Sequence, residues 1–496
     1  KELFDEFVAL GGGNLVLVDY NPFDPLSVAQ FYDSEFMFNI KDGFDIVIGN
    51  PPYGVSIKDD YRKKVIEYLG QVPDYEIYYF FIELSYKFGK KNGISSLIIP
   101  NTFLFNVYAK KFREIMLEKY SIEYILDCTS FKIFEKATVF NSIVLMKKNI
   151  NDNKQVGYKP TKNIKNFNEL ILKETMYLTK EEMLDNIDNW SLAFRLDKDI
   201  ISLVSKIKKN NKLIDYFPEI SQGLIAYDKH RGQDEKTIKT RAFHHDNNIN
   251  GEYKKWLLGE NVQKYNIIWN EKEWIDYNNN IANPRNPKFF IGDRILVREI
   301  TNPSIFAALA TEEMYHDPAI ISILSSNNFS LKTLLAILNS NFAKFYHFNT
   351  SPKATKGAFP KILVNDIKNF PIPIVSKVEQ KTFEIIVDYV IYIKKHLNNT
   401  NIDNYVSNKH IVKQFEDVID AMVFELYFKE EFISKDIEFI KYVKEDFFSI
   451  EGLDDSLKEQ IIRDSYLKLT ESKNKIRNNL LLLPIEFDFI KTIIWS

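Results

Sequence analysis

Apolar and polar positions follow two different rhythms along this chain, and the change between them divides it. Up to about residue 195, apolar runs of strand length are separated by helical patterns. Leu15 to Val18 in NLVLVDYNPFD reads as one strand. Phe44 to Ile48 in FDIVIGNPPYG reads as the next; apolar apart from Asp45 and rich in β-branched residues, it predicts a central strand of a covered sheet. In DYEIYYFFIELSYKFGKKNG, Ile77, Phe80, Phe81, Leu84 and Phe88 recur at helical spacing, with Gly93 as the cap. GISSLIIPNTFL at 93–104 is a strand with a Pro-Asn exit, a helix spans about Ala109 to Glu118, and SIEYILDCT and NSIVLMKK supply two more strands. Strands alternating with helices predict an α/β sheet with helices on both faces and a site at the C-terminal strand ends.

A polar run, KIKKNNK, follows the apolar IISLVS and places a boundary at 196–212. Beyond it, short β-like runs alternate with polar loops, as in ISQGLIAYDKHRGQ, KWLLGENVQKYNIIW, FFIGDRILVREIT and PAIISILS. This predicts a loop-rich mixed α+β domain over 196–375 with basic and aromatic residues interleaved. It closes with an apolar helix from Leu334 to Phe348, a loop carrying Lys353, Lys356 and Lys361, and a proline-bounded strand. Residues 376–496 read as a helical region packing on that domain, with amphipathic spacing in VEQKTFEIIVDYVIYIKKHL, FEDVIDAMVFELYF and SLKEQIIRDSYLKL. KEEFISKDIEFIKYVKEDF adds a charged surface helix, and no fixed-period repeat suggests a solenoid.

Composition changes this picture little. A length of 496 residues suits about three domains, and 45% hydrophobic with 27% charged residues is ordinary for a globular chain. No apolar run of membrane-spanning length and no signal peptide are visible, so a cytoplasmic protein without a membrane partner is expected. The single cysteine, Cys128, excludes a disulfide framework and a multi-cysteine zinc site, and seven histidines without HExxH spacing give no metal site. The net charge of −3 hides a gradient: residues 200–375 hold 23 Lys plus Arg against 17 Asp plus Glu, a balance of +6, which leaves −9 for the rest. One basic segment on an acidic chain suits nucleic-acid binding through one face.

Candidate chemistry sits at the end of the second strand. Gly49 stops it, and Pro51 and Pro52 remove two backbone donors and fix φ, leaving a stiff loop that presents Asn50 and Tyr53. The Asn50 carboxamide oxygen and the Pro51 carbonyl can accept hydrogen bonds from an exocyclic NH2, which turns the nitrogen lone pair out of the ring plane toward an electrophile. Tyr53 offers a flat face worth roughly 1–3 kcal/mol per stacked base. The alternative is a proline-stiffened surface turn.

NPPY after an apolar strand resembles the catalytic motif of amino-group methyltransferases that use S-adenosylmethionine, above all adenine-specific (N6) DNA methyltransferases. The order IVIGNPPYG, DYEIYYFFIELSYKFGKKNG, GISSLIIPNTFL, FKIFEKATVFNSIVLMKK resembles that family as well. The whole layout resembles type II restriction-modification enzymes in which a target-recognition domain follows the methyltransferase motifs. The resemblance implies a Rossmann-like methyltransferase domain at 1–195, incomplete at its N-terminus, a target-recognition domain at 196–375 and the helical region at 376–496. It further implies double-stranded DNA clamped between the first two, and methyl transfer to a flipped adenine. Asn50 and Pro51 would hold the amine, Pro52 would stiffen the loop, and Tyr53 and Phe134 would sandwich the ring, with Phe140 as the alternative to Phe134. Lys229, Arg231, Lys239, Arg241, Arg298, Lys353 and Lys356 are the candidate DNA contacts, each also readable as a solvated charge.

The sequence departs from the family at the cofactor loop. No FxGxG or DPxxGxG pattern is present, and GGG at 11–13 has no apolar strand before it. With 49 residues before Asn50 and Lys1 at the start, the expectation is a longer protein whose further N-terminal methyltransferase or nuclease portion carries that loop. Asp19 and Asp45 remain as cofactor-binding candidates through a ribose or adenine amine, or as turn and cap residues. Two other readings stay open: an NPPY methyltransferase acting on a protein glutamine or on RNA, and a DNA-binding specificity module with an inactive methyltransferase half. No convincing PD...(D/E)xK arrangement supports a nuclease in this chain.

Overall fold

The computed structural model describes residues 38–53, 77–106, 109–128, 139–148, 155–159, 164–194, 198–248, 251–351, 360–397 and 401–495, with single positions between these spans. The chain divides into two compact units, Lys1–Arg195 and Leu196–Ser496.

In the first unit, β1 (Phe44–Gly49), β2 (Gly89–Pro100), β3 (Ser121–Asp127), β4 (Asn141–Lys147), β5 (Gln155–Tyr158) and β6 (Met176–Thr179) form a mixed sheet in the order β1-β2-β4-β3-β5-β6. The parallel pair β1 and β2 is joined through α1 (Tyr78–Phe88), and α2 (Lys110–Lys119) leads from β2 to β3. β4 runs antiparallel between β2 and β3, so β1, β2 and β3 point the same way. Tyr79 of α1 meets Phe112 of α2 edge-on at 5.0 Å, which puts both helices on one face. On that side Leu97, Ile99, Ile125, Val144 and Met146 are buried, each stabilising the unit by roughly 1.5–3 kcal/mol.

The opposite face of β1 is open among the described residues. Ile46 and Ile48 are 62% and 78% exposed, and Ile94, directly opposite Ile46, is 39% exposed. Among the described residues β1 pairs with β2, and α1 and α2 lie on one face; the strand expected at Leu15 to Val18 lies outside the described residues. An apolar run reports that a strand's faces suit burial; it does not count neighbours. The cap of α1 differs from the sequence reading. The helix stops at Phe88, and Lys90–Gly93 bulge out of β2 between the pairs Phe44–Gly89 and Ile46–Ile94. Asn92 there is left-handed at φ 66, and a Cβ on Gly93 would lie 2.8 Å from the Phe44 carbonyl oxygen. The turn chemistry of KKNG is therefore used for a strand irregularity instead of a helix end.

The second unit contains β7 (Ile220–Gln222), β8 (His244–His245), β9 (Lys254–Leu257), β10 (Trp274–Ile275), β11 (Arg294–Arg298), β12 (Ala307–Ala310), β13 (Tyr315–His316) and β14 (Ile320–Leu324). They make two small sheets, β12-β11-β14-β7 and β13-β9-β10-β8. The first packs against α3 (Leu331–Asn339), α4 (Asn341–Thr350), α5 (Lys377–Lys395) and α6 (Asn408–Tyr427). One core joins Ile295, Val297 and Ile323 of the strands to Leu334, Phe342, Ile386, Val390 and Phe415 of the helices. The helices after residue 376 thus complete the interior of the strand region.

Two helix readings are revised. The apolar stretch 334–348 is split because the Ser340 hydroxyl accepts the Ala343 N–H at 3.1 Å and starts α4. The stretch 429–447 is two helices, Lys429–Ser434 and Ile440–Asp446, with Phe432, Phe439 and Val443 buried rather than on the surface. The Glu425 carboxylate fixes them there by accepting the N–H groups of Phe439 and Ile440 at 2.8 and 2.9 Å.

Gly223 couples the two small sheets. Its N–H donates to the Ile320 carbonyl at 3.0 Å and the next, from Leu224, to that of His316 at 3.1 Å. A Cβ on Gly223 would fall 2.1 Å from the Asp317 carbonyl oxygen and 2.3 Å from that of His316. Gly223→Ala is therefore expected to cost about 2–4 kcal/mol, read as a lowered urea midpoint. A midpoint equal to the parent's would show that the backbone yields freely. No helix among the described residues is long and apolar enough to cross a membrane.

Candidate functional site

The C-terminal ends of β1, β2 and β3 and the start of β4 meet along one edge of the first sheet. Gly49 pairs with Leu97, so Asn50 to Tyr53 leave β1 alongside the last residues of β2. Asn50 and Pro52 are exposed, Pro51 is buried and Tyr53 half-buried. Beyond Pro100 the chain makes a single 3-10 turn, Asn101–Leu104, and the Asn101 N–H donates to the Phe140 carbonyl at 2.9 Å. The Cys128 N–H, just past β3, donates to the Asn141 carbonyl at 3.0 Å. Asn50–Tyr53, the Asn101 turn and Phe140 thus share the sheet edge where an open α/β fold carries its ligands.

Two residues that the sequence did not single out hold this edge. Tyr78, at the start of α1, shares a hydrogen bond with the Thr102 hydroxyl at 3.2 Å. Arg113 of α2 is fully buried and pairs with backbone only: Nε donates to Ile187 at 2.6 Å, Nη1 to Phe103 at 2.7 Å and Asn106 at 3.1 Å, and Nη2 to Asp188 at 3.2 Å. Burial lowers its pKa to about 10, which leaves it charged at neutral pH. The signal in the sequence was an arginine between Phe112 and Met116 on the apolar stripe of an amphipathic helix.

Phe140, 39% exposed, stands directly before β4 at the shared edge, and Phe134 is half-buried in the segment between β3 and β4. Asp45 does not join Asn50. It lies at the other end of β1, about 17 Å away along a strand, and is ion-paired with Lys90. Asp19 lies outside the described residues. Among the described residues of the first unit, no glycine-rich loop follows a strand, so they offer no cradle for the methionine part of a cofactor. Cys128 is buried, and burial pushes its thiol up to about 12.

In the second unit the candidate DNA contacts are spread out, and most face carboxylates. Lys229 and Lys239 share Glu235 at 3.4 and 3.1 Å. Arg231 lies 3.6 Å from Asp228 and donates to the Ala282 carbonyl. Arg241, left-handed at φ 49, stands 3.9 Å from Glu273. The Arg298 guanidinium lies 4.8 Å over the Phe306 ring. Lys361 pairs with Glu299 at 3.3 Å, while Lys353 and Lys356 lie outside the described residues. Exposed pairs of this kind are worth about 0–1 kcal/mol each, so a phosphate can displace the carboxylate. His316 and His347 are buried against Ser322 and Thr301, at 2.8 and 3.0 Å. Burial lowers them to about 3 and about 4, so both are neutral parts of the core.

Comparison with known proteins finds likeness to a restriction-modification methylase in the first part of the chain and to a specificity domain in the second. Residues 20–134, which include β1 and Asn50–Tyr53, match the Eco57I restriction-modification methylase family, and residues 254–372 match the TaqI-like C-terminal specificity domain. A type II restriction enzyme and methyltransferase of Methanocaldococcus jannaschii is 24% identical over 401 residues, which are 79% of this chain and 32% of the relative. The chain thus spans about a third of that relative's length. The type II methyltransferase M.BstVI of Geobacillus stearothermophilus is 32% identical over 108 residues, 21% of this chain and 19% of that protein. Among solved structures, the type IIL restriction-modification enzyme MmeI in complex with DNA covers 81% of this chain and 57% of its own, at 12% identity and a TM-score of 0.48.

Proposed function

We propose that the chain is the acceptor-binding and DNA-recognising part of a DNA methyltransferase that moves a methyl group from S-adenosylmethionine to the exocyclic amine of an adenine flipped out of the duplex. The observation that carries this reading is the placement of Asn50–Tyr53: an exposed carboxamide, two prolines and a half-buried ring at the C-terminal end of β1, beside the Asn101 turn. When bound, the cofactor supplies an electrophilic methyl group. The chain's own contribution lies at the acceptor. The Asn50 side-chain oxygen and the Pro51 carbonyl accept the amine hydrogens and direct the nitrogen lone pair out of the ring plane; orientation supplies most of the effect. Flipping costs a few kcal/mol, which stacking on Tyr53 and on Phe134 or Phe140 offsets at roughly 1–3 kcal/mol per face.

Two further observations support the amine and the DNA. Methylation of a ring carbon needs a thiolate to form the covalent adduct, and Cys128, the chain's one cysteine, is buried and neutral. The specificity-domain match over 254–372 supports duplex DNA over a protein glutamine or RNA, and the intact Asn-Pro-Pro-Tyr supports an active methylase over a silent specificity module. Pro52 serves the loop by stiffness, Asp45 is paired with Lys90 at the far end of β1, and Asp19 stands as a cofactor-binding candidate outside the described residues. The test is to incubate the longest natural polypeptide containing this chain with labelled S-adenosylmethionine and duplex DNA, then resolve the nucleosides by mass spectrometry. N6-methyladenine is expected. N4-methylcytosine would move the acceptor to the other base amine, and label in protein or RNA alone would overturn the proposal.

A further inference from the structure

We infer that the outward face of the small sheet β8-β10-β9 is a base-stacking platform through which the recognition domain meets DNA, an inference that rests on the DNA-methyltransferase reading above. Antiparallel pairing sets Lys255 of β9 opposite Trp274 of β10, and Trp274 opposite His245 of β8, giving one row across three strands. The neighbouring row is Lys254, Ile275 and His244, of which Ile275 is fully buried in one core with Trp256. Successive side chains alternate faces, so the row containing Trp274 points away from that core.

More rings extend the row into a surface. Tyr253, two residues before Lys255 and on the same side, has its ring 4.0 Å from that of His245 and within 4° of parallel. At the other end Trp269 meets Trp274 edge-on at 4.8 Å, with the Lys255 ammonium 5.1 Å over its ring. Asn248 fixes Tyr253 through two hydrogen bonds, donating to its carbonyl at 3.1 Å and accepting from its N–H at 3.0 Å. Tyr253, His245 and Trp274 are half-buried and belong to none of the buried clusters of this unit.

Trp269 packs against the core around Leu257 and Leu296, whereas Tyr253, His245 and Trp274 are gathered on the sheet outside the buried clusters, and such surface aromatics mark a surface that is covered in use. The chemistry at the margin selects the occupant. Lys255, which pairs with Glu312 at 2.6 Å, is one cation, and Arg241, immediately before the Ala242–Phe243 approach to β8, is another, held to Glu273 only at 3.9 Å; a phosphate would have to displace those carboxylates. Flat π-faces beside cations suit unstacked bases next to a phosphate chain. Lys255, Trp269 and Trp274 also lie inside the specificity-domain match.

The test measures binding of the full chain to a random-sequence DNA pool, as single strands and as duplex, over a range of salt, parent against Tyr253→Ala and Trp274→Ala. Stacking releases no counterions, so each variant is expected to bind about tenfold more weakly or worse, with the slope of log K against log salt unchanged. Trp274→Phe is expected to regain most of the loss. Circular dichroism and urea midpoints check the fold; should alanine at 274 unfold the sheet, Trp274→Leu against Trp274→Phe keeps bulk while removing the ring, and equal affinities of those two would overturn the platform. So would unchanged DNA binding by folded alanine variants, the result expected if a protein covers this face. A parent chain that fails to bind DNA even at low salt defeats the DNA reading itself, and the platform with it.

Discussion

On the proposed function, replacing Asn50 by alanine in the longest natural polypeptide containing this chain is expected to slow methyl transfer by about a thousandfold or more while changing duplex affinity by no more than about twofold. The argument is geometric. Asn50 is exposed at the end of β1, held by no core contact, and followed by prolines that fix the direction of the loop. Truncation therefore leaves the sheet intact but removes the acceptor proposed to orient the amine, an interaction needed most when the nitrogen lone pair must point at the methyl group. Asn50→Asp keeps an oxygen acceptor and is expected to fall between the parent and the alanine variant. Single-turnover rates and equilibrium binding on the same duplex separate the two effects. If transfer and DNA affinity fell together, Asn50 would be part of the DNA-binding surface instead.

Arg113→Met is expected to destabilise the first unit by about 3–5 kcal/mol, because it removes the guanidinium donors from four backbone carbonyls, two of them in fully buried contacts. Arg113 is 0% exposed and serves Phe103 and Asn106 on one side and Ile187 and Asp188 on the other. It therefore ties the Asn101–Leu104 turn to a distant part of the unit as well as filling space. Arg113→Lys keeps the charge but presents a point donor in place of a planar fork, and is expected to recover less than half of the loss. Urea unfolding followed by the fluorescence of Trp190, which lies 6.0 Å from the guanidinium, reads the effect. A loss under about 1 kcal/mol would mean that water replaces the guanidinium at those carbonyls.

What the sequence made legible was what depends on neighbours in sequence. FDIVIG followed by Asn-Pro-Pro is strand and stop within ten residues, and the long helices at 377–395 and 408–427 announce themselves by spacing. The errors came where distant contacts decided. Gly93 looked like a helix cap because nothing local reveals that Phe44 approaches it from another strand. Ser340 carried a readable cap signal, but the apolar residues around it masked the break. The stretch 429–447 looked solvated because its charges are local and the Glu425 carboxylate that pins it lies on the preceding helix. At the candidate site, Asn50–Tyr53 was visible as a motif, whereas the Tyr78 and Arg113 supports needed the fold. For the basic residues of the second unit the reverse held: their charge was visible and their carboxylate partners were not. Aromatic residues scattered between 245 and 274 gave no pattern until the strands brought them side by side.

The outer side of β1 bears on how this protein behaves in a tube. Among the described residues that strand lends its hydrogen bonds to β2 alone, and two of its isoleucines are exposed. Such a margin is adhesive: it invites strand addition from whatever extended chain is nearest, another copy included. With a net charge of only −3, long-range repulsion does little to keep copies apart. Wherever that margin stays uncovered, association that rises with concentration is expected, through a stretch of six residues that ends one position before Asn50.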